Sequence, residues 1–192
     1  MSNMVSIVGP QTMEKRLHSF TKNLVTKIYD EDRTLVSSGL KGIDAFALKY
    51  HLQLGGKAVC FVSDHLFDKK KTYSKYIKDH KMVLVSAVDP FAYFNVTNSL
   101  DRNIYVCGLS QLQFITATHI NSGGVWFTTI QNLDDNRYNG NIRLLEMGAI
   151  KVTYEDILSL LTLEQIVEKN EVIEEEEEII IDQMSIYEFL DE

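Results

Sequence analysis

The chain has 192 residues, of which 45% are hydrophobic and 24% charged, a balance typical of one globular domain with a sizeable core. No apolar run reaches the roughly 18 residues of a membrane-spanning helix, and the first residues lack the pattern of a secretory signal, so we expect a cytoplasmic protein without a membrane partner. The net charge of −8 is unevenly distributed along the chain. Residues 164–192 carry 12 acids and one base, whereas the remainder carries 18 bases and 15 acids. The charge of this remainder therefore does not exclude a nucleic-acid partner.

The first half of the chain alternates apolar runs with amphipathic stretches. Residues 4–8 predict a buried strand, and residues 12–29 predict a helix capped by Thr12. The apolar residues of this helix recur every three or four positions and form one stripe, made of Met13, Leu17, Phe20, Leu24 and Ile28. A second strand is predicted at 34–38, before a helix that ends at Gly55-Gly56. The predicted inner face of that helix consists of Ile43, Phe46, Ala47, Tyr50 and Leu54.

The middle of the chain supplies three further strands, predicted at 57–62, 82–86 and 113–117. Between the first two of these lies the lysine-rich stretch KKKTYSKYIKDHK, for which a solvated helix face is the expected role. Residues 87–99 are expected to form a loop and residues 100–112 a helix. Strand and helix therefore continue to alternate through this part of the chain.

The second half of the chain is less regular. Residues 124–130 are β-branched or aromatic after their glycine and favour a strand, and a short helix at 141–147 and a last strand at 149–152 follow. Residues 155–169 are amphipathic and predict one helix or a pair of helices. Residues 170–192 have the acidic composition of a disordered tail, although the apolar residues of IIIDQMSIYEFL also suit a segment that docks on a partner or folds back on the body.

The alternation of strand and helix predicts an α/β fold of the Rossmann-like type, with a mostly parallel sheet and helices on both faces. We expect one such domain over residues 1–163, followed by an acidic C-terminal helix end and tail over residues 164–192. Sheets of this kind bind ligands at the carboxyl ends of their strands, so the functional site is expected at that edge.

Sequence motifs of catalysis, metal binding and redox chemistry are absent. Cys60 and Cys107 lie within separate apolar runs and lack CxxC spacing, so both are predicted to be small buried side chains in a reducing compartment. The five histidines have no HxxxH or HExxH spacing, and neither a GxSxG elbow nor a GxGxxG fingerprint occurs. We therefore expect a protein that is not an enzyme and that has no catalytic residue, no metal and no cofactor.

Three glycine-bearing turns follow predicted strands, at residues 7–11, 37–44 and 121–126. A glycine at a strand-to-helix turn lets backbone N–H groups approach an anion, and the start of the following helix adds partial positive charge. Each of these glycines is also an ordinary turn residue. Three such turns at one end of a parallel sheet nevertheless suit a cradle for phosphate.

The segment SGLKGID (38–44), followed by Gly55-Gly56, resembles the SGLAxGID…GG signature of the DNA-processing protein A (DprA, also called Smf) family. Farther along, DRNIYVCGLS (101–110) resembles the RNRIIAGLS element of that family, and GNIRLLEMGAIKV (140–152) resembles its LIxxGAxxV element. These motifs occur in order and at compatible spacing. The resemblance extends over residues 4–160.

The resemblance implies a Rossmann-like domain that binds single-stranded DNA through a phosphate cradle at the carboxyl ends of the strands, in recombination or DNA processing. It further implies a RecA-type recombinase as partner and a homo-oligomer, often a dimer. The phosphate-facing residues that it implies are Gly9, Ser38, Gly39, Lys41, Gly42, Arg102, Asn103, Ser122 and Gly123. Lys41 and Arg102 carry the charges expected to neutralise phosphate, and an arginine can do so bidentately.

Other roles are open for some residues near this cradle. Asp44 is expected to be a helix N-terminal charge that complements the helix dipole, and a surface salt bridge is the alternative for Arg102. Several aromatic residues are candidates for stacking on bases, although core packing is expected for most of them. They are Tyr93, Phe94, Tyr105 and Trp126.

The chain departs from the family pattern at positions that carry charge. Pro10-Gln11 stands where the family has Thr-Arg, and Ile104 replaces the second arginine of RNR. The loss of two arginines weakens an electrostatic DNA site. A second function therefore stays open, namely non-catalytic sensing or sequestering of a small nucleotide-derived ligand. A third is a protein-interaction module in which the acidic tail occupies or guards the basic surface.

Overall fold

The computed structural model of the chain describes residues 3–11, 15–116, 129–130 and 150–172. Their strands form one sheet in which every neighbouring pair is parallel. The strands are β1 (Met4–Val8), β2 (Thr34–Ser37), β3 (Ala58–Val62), β4 (Met82–Ser86), β5 (Leu112–Ile115), β6 (Thr129–Ile130) and β7 (Lys151–Val152). In space their order is β4-β3-β2-β1-β5-β6-β7.

Helices cover both faces of this sheet. They are α1 (Lys15–Asp30), α2 (Ile43–Leu54), α3 (Leu66–Thr72), α4 (Ser74–Lys78), α5 (Val96–Gly108) and α6 (Tyr154–Leu158). Residues 163–172 are also helical. Val5 and Ile7 of β1 join the core with α1, whereas Val8 packs in a cluster with Val106 of α5. The predicted α/β Rossmann-like fold is thus confirmed.

The strand order reverses between β1 and β5. From β1 the chain adds β2, β3 and β4 on one side, and it places β5, β6 and β7 on the other. The register pairs Val8 with Ile115, so the two central strands end at the same level. In α/β sheets the carboxyl ends of the strands at such a reversal leave a crevice that binds ligands.

The helix predicted at 12–29 is α1, whose described part runs from Lys15 to Asp30. Thr12 and Met13 lie outside the described residues. The remaining residues of the predicted apolar stripe are all at most 4% exposed, which confirms the stripe. They are Leu17, Phe20, Leu24 and Ile28.

α2 buries two faces rather than the one predicted. Ile43 and Ala47, from the predicted face, are fully buried in the core shared with α1. Leu48 and Leu52 are buried in a second cluster beside β3. A helix that packs between another helix and a sheet is covered on two sides. A single apolar stripe describes only one of these sides, so the prediction missed the second. The helix ends at Gly55, as predicted, and this glycine adopts the left-handed conformation.

The predicted boundary between loop and helix at residue 100 is wrong, because α5 begins at Val96. The Asn95 side chain accepts hydrogen bonds from the N–H groups of Thr97 and Asn98, at 2.7 and 3.4 Å. Asn, Ser and Thr favour both turns and helix caps, so this stretch was compatible with either reading. The cap thus adds a turn to the predicted helix.

The predicted end of the same helix at residue 112 is also wrong. α5 ends at Gly108, and Leu112 already belongs to β5. Pairing with β1 sets the start of this strand, because Leu112 lies opposite Val5. Long-range pairing of this kind is not visible in a local pattern.

The lysine-rich stretch forms most of α3 and α4, and neither helix has a buried residue, which agrees with the predicted solvated face. The helix or pair of helices predicted at 155–169 is a pair, made of α6 and the helical segment 163–172. Leu163 and Ile166 are fully buried in the core of α1, so this segment packs with the domain. The helix predicted at 141–147, like most of 124–130 and the tail after residue 172, lies outside the described residues.

Cys60 and Cys107 are buried and free, as predicted. Burial raises the pKa of Cys60 to about 12 and that of Cys107 to about 11, so neither thiol ionises near neutral pH. Across the described part of the chain, no helix is both long and apolar enough to cross a bilayer.

Candidate functional site

The carboxyl ends of β1 and β2 meet at the start of α2, where Asp44 joins them. The N–H of Gly9 donates a hydrogen bond of 3.1 Å to Oδ1 of Asp44, and the hydroxyl of Ser38 donates one to Oδ2. The hydroxyl of Ser37 donates to the backbone oxygen of Asp44 at 3.2 Å. Two of the three predicted glycine turns are therefore fastened to one acidic residue.

Asp44 is 4% exposed and lies in the first turn of α2, as predicted. Burial raises its pKa to about 6, although hydrogen bonds from Ser38 and Gly9 and the charge of Arg102 oppose the shift. Its carboxylate oxygens are engaged by the turns after β1 and β2, a role that the sequence pattern did not indicate. Asp44 therefore acts as a buried link between two turns, besides any interaction with the helix dipole.

Glycine is required at two positions of this junction. Gly42 has a φ of 96°, and a Cβ there would lie 2.3 Å from the carbonyl oxygen of Pro10. A Cβ on Gly9 would lie 2.3 Å from Oγ1 of Thr116 and 2.7 Å from Cβ of Ile43. The start of α2 thus lies against the backbone that follows β1, and Gly9 lies against the side chain of Thr116 after β5, two approaches that a Cβ would prevent.

The turn after β2 is held by its own serines. The N–H of Leu40 donates to Oγ of Ser38 at 3.1 Å, and the N–H of Gly39 donates to Oγ of Ser37 at 3.4 Å. Lys41 is exposed and forms no ion pair with any described residue. The turn is therefore pre-formed, and Lys41 is the charge that it presents to solvent.

Arg102 approaches the same edge of the sheet from α5. It is only 5% exposed, and its Nη2 donates hydrogen bonds to Oδ1 of Asn103 at 3.0 Å and to Oγ of Ser99 at 3.2 Å. Burial lowers the pKa of Arg102, and the negative charges of Asp44 and Asp64 partly offset this effect. The surface salt bridge considered for Arg102 is not observed, since no carboxylate of the described residues forms an ion pair with it.

A small cavity of ≈ 70 Å³ opens beside Arg102 at the carboxyl ends of β3 and β4. Ser63, Val88, Asn98 and Tyr105 contribute to its lining. A water molecule needs about 10–15 Å³ on this measure, so the cavity has room for a few waters or one phosphate-sized group. Arg102, the carboxylate of Asp101 and the polar side chains of Ser63 and Asn98 all line it, so a phosphate there would meet one positive and one negative side chain.

Three of the four aromatic candidates are exposed, and the expectation of core packing is wrong for them. Tyr93 is 80%, Phe94 58% and Tyr105 46% exposed. Tyr105 stacks on Phe61, which is buried at the end of β3, with ring centroids 5.9 Å apart. Tyr105 lines the cavity, whereas Tyr93, in the loop after β4, lies with its ring centroid 5.3 Å from that of His65. Trp126 lies outside the described residues.

The structure therefore divides the predicted site residues into two groups. Gly9, Ser38, Gly39, Lys41 and Gly42 surround the start of α2, and Arg102 and Asn103 lie on α5. Ser122 and Gly123 lie outside the described residues.

The sequence reading missed Thr116, which directly follows β5 at the strand reversal. Thr116 is 1% exposed, and its side-chain hydroxyl has no hydrogen-bond partner among the described residues. The only sequence signal for it was a hydroxyl residue at the end of a predicted strand. No group of His, Cys, Asp and Glu suited to a metal ion is found within the described ranges.

Comparison with known proteins gives a family match over most of the chain. The family described as DNA recombination-mediator protein A matches residues 1–162. No curated protein matches the sequence.

Two solved structures share the fold. DNA processing protein A (DprA) from Streptococcus pneumoniae superposes with a TM-score of 0.67 at 21% identity, over 83% of this chain and 62% of that one. DNA processing protein A from Helicobacter pylori, for which a single-stranded DNA binding mode is described, superposes with a TM-score of 0.62 at 22% identity, over 77% of this chain and 74% of that one. The chain thus spans less than two thirds of the Streptococcus protein.

Proposed function

Because the chain belongs to the DNA recombination-mediator protein A family, we propose that it binds single-stranded DNA at the carboxyl ends of its strands and acts in DNA recombination or processing. The observation that carries the proposal is the buried guanidinium of Arg102, which lines a cavity and forms no ion pair with a described carboxylate. A desolvated cation is costly unless an anion compensates it, and phosphate matches the planar fork of arginine.

The size of the cavity favours one phosphate of a longer strand. Pockets that enclose small ligands measure about 300–1,000 Å³, whereas the cavity beside Arg102 measures ≈ 70 Å³. A nucleotide enclosed by the described residues would not fit there. Single-stranded DNA that places one phosphate at Arg102 and continues over the surface is therefore the first candidate. The small nucleotide-derived ligand is the second.

The surroundings of Arg102 suit the rest of such a strand. Lys41 is exposed at the turn after β2, where it provides a second positive charge. Tyr105 lines the cavity with an exposed ring, and Tyr93 and Phe94 are exposed in the loop after β4. Aromatic rings stack on bases without regard to sequence, at about 1–3 kcal/mol per base. We propose that phosphates bind at Lys41 and Arg102 and that bases stack on these rings.

Family membership supports two finer proposals, a RecA-type recombinase as partner and self-association of the chain. Analytical ultracentrifugation of the protein alone, and with a RecA-type recombinase, tests both. A monomer over the full concentration range would contradict self-association.

The test of the function is a titration of fluorescent oligo-dT with the full chain at about 50 and 200 mM salt. We expect binding that weakens steeply with salt, with a slope of about −0.7 in log K against log salt for each phosphate contacted. A duplex of the same length serves as the competitor. If oligo-dT does not bind at low salt while nucleotides raise the Tm, the second candidate replaces the first.

A further inference from the structure

An apolar groove lies at the open edge of the sheet, far along the strand order from the reversal at β1 and β5. Its volume is ≈ 630 Å³, and Leu66, Phe67, Ile77, Met82, Val83 and Leu84 line it, with Lys70 and His80 at its margin. Val83 is 58% and Phe67 44% exposed. Exposed apolar side chains in one concave surface mark a place where another chain segment binds.

Within the described part of the chain, the edge strand itself also has one open side. Among the described strands, β4 pairs with β3 alone. An edge strand presents unpaired N–H and C=O groups to solvent, and proteins commonly cover such an edge. Among the described residues, two parts of this groove are therefore open, namely its apolar floor between β4 and the helices α3 and α4, and the outer backbone groups of β4.

The two helices that border this groove, α3 and α4, belong to a strongly basic segment, and Lys70 itself lines the groove. Residues 69–81 contain six lysines and a single acid, Asp79. Lys70, Lys71, Lys75 and Lys78 are exposed, and the opposing charge within α3 is Asp68, whose carboxylate lies 3.4 Å from Lys71. An occupant of this groove must supply apolar side chains for the floor and negative charges for these lysines.

One segment of the chain has this composition. Residues 173–192 contain nine acids and no base, together with the apolar groups Ile179–Ile181 and IYEFL (186–190). We propose that residues 173–192 bind in the groove of the same chain, with apolar side chains against Phe67 and Val83 and acidic side chains on the exposed lysines. This proposal goes beyond DNA binding and does not depend on it.

Chain length permits the contact. Twenty residues reach at most about 65–70 Å when extended, and a sheet of seven strands is about 29 Å wide at a spacing of 4.8 Å. Residues 163–172 are anchored in the core through Leu163 and Ile166, so the segment starts from a fixed point on the domain. A nucleic acid is the other polyanion that could use the lysines, but it has no apolar side chains to fill the floor.

The experiment uses paramagnetic relaxation in the full chain without DNA. A nitroxide is attached at Ser185→Cys, since the two native cysteines are buried. We expect the amide signals of Phe67 and Val83 to broaden, and we expect added salt to reduce the effect. The double variant Lys70→Glu/Lys75→Glu should remove the broadening, whereas the matched control Lys49→Glu/Lys57→Glu, at exposed lysines elsewhere, should retain it.

Three results would overturn the proposal. Broadening around Lys41 and Arg102 would show that the segment covers the phosphate cradle. Broadening that appears only when spin-labelled chains are mixed with isotope-labelled chains would show binding to a second copy. No broadening at any described residue would show that the segment does not dock. Because DNA is absent, each of these results would overturn the docking proposal while DNA binding is decided separately by the oligo-dT titration.

Discussion

The backbone N–H of Gly9 donates a hydrogen bond of 3.1 Å to the carboxylate of Asp44, so the end of β1 is tied to the first turn of α2. The two residues are 35 positions apart in the sequence. Ser38, at the end of β2, donates to the other oxygen of the same carboxylate. The shape of the proposed phosphate cradle thus depends on one buried acid.

The protonation of Asp44 should make stability depend on pH. Burial raises its folded-state pKa to about 6, above the value of about 3.9 in an unfolded chain. The protonated form therefore favours the fold, so this contribution is fully present below about pH 4 and is lost as the pH rises through about 6. Two pKa units correspond to about 3 kcal/mol as an upper value.

Denaturant unfolding of the wild type and of Asp44→Asn between pH 4 and 7.5 measures this contribution. The free energy of unfolding of the wild type should fall relative to that of the variant as the pH rises. The contributions of the other carboxylates are the same in both proteins and cancel in the difference. A difference that does not change with pH would contradict the raised pKa.

Replacement of Arg102 should weaken DNA binding more than any other single change. Arg102→Ala removes hydrogen bonds to a charged group, each worth about 1.5–3 kcal/mol, so affinity for oligo-dT should fall about ten- to a hundredfold. Arg102→Lys keeps the charge but loses the planar fork, and it should give an intermediate affinity. Thermal unfolding of both variants shows whether the fold is intact. Unchanged affinity in a folded Arg102→Ala protein would remove Arg102 from the site.

Replacement of Lys41 should reduce the salt dependence of binding. Lys41→Ala removes one phosphate contact, so the slope of log K against log salt should become about 0.7 less negative. Lys41 is exposed, so the Tm should hardly change. Lys49→Ala is the matched control, because Lys49 is also an exposed lysine of this region but lies farther along α2. Equal slopes for the two variants would argue against a phosphate at Lys41.

Substitution of Gly42 should destabilise the protein. Gly42→Ala places a Cβ 2.3 Å from the Pro10 carbonyl oxygen and imposes a φ of 96° on alanine. A conformation of this kind costs about 1–3 kcal/mol before the collision is counted. Gly108→Ala is the control, since a Cβ there meets no atom within 4 Å, and stability should stay the same or rise by at most about 1 kcal/mol. Denaturant unfolding should give a lower free energy of unfolding for Gly42→Ala and an unchanged or higher one for Gly108→Ala.

The elements of the fold were largely predictable because local patterns carry them. Strands 4–8 and 82–86 were predicted with the bounds that the structure shows, since each is a short apolar run with turn residues beside it. The ends of α5 were not, because the start depends on an Asn95 cap and the end on the pairing of β5 with β1. A turn-forming sequence is compatible with either state until its partners are known.

The candidate positions could be selected from the sequence, but their arrangement in space could not. The motif around Lys41 and the match at Arg102 selected the positions, and the structure shows that both lie at the carboxyl edge of the sheet. Nothing in the sequence distinguished the buried Arg102 from a surface charge, because burial depends on elements distant in the chain. The same is true of Tyr93, whose exposure is set by how the loop after β4 packs on α3.

The sequence by itself determined the fold class, the alternation of strands and helices, and the segments that meet at the carboxyl ends of the strands. These features follow from residue periodicity and turn chemistry, which act over a few neighbouring residues. Only the tertiary structure decided that Asp44 joins the turns of Gly9 and Ser38, that Arg102 is buried beside a small cavity, and that β4 has an open apolar edge. Hydrogen bonding, desolvation and packing at these places involve residues far apart in the chain, and such contacts exist only once the sheet has formed.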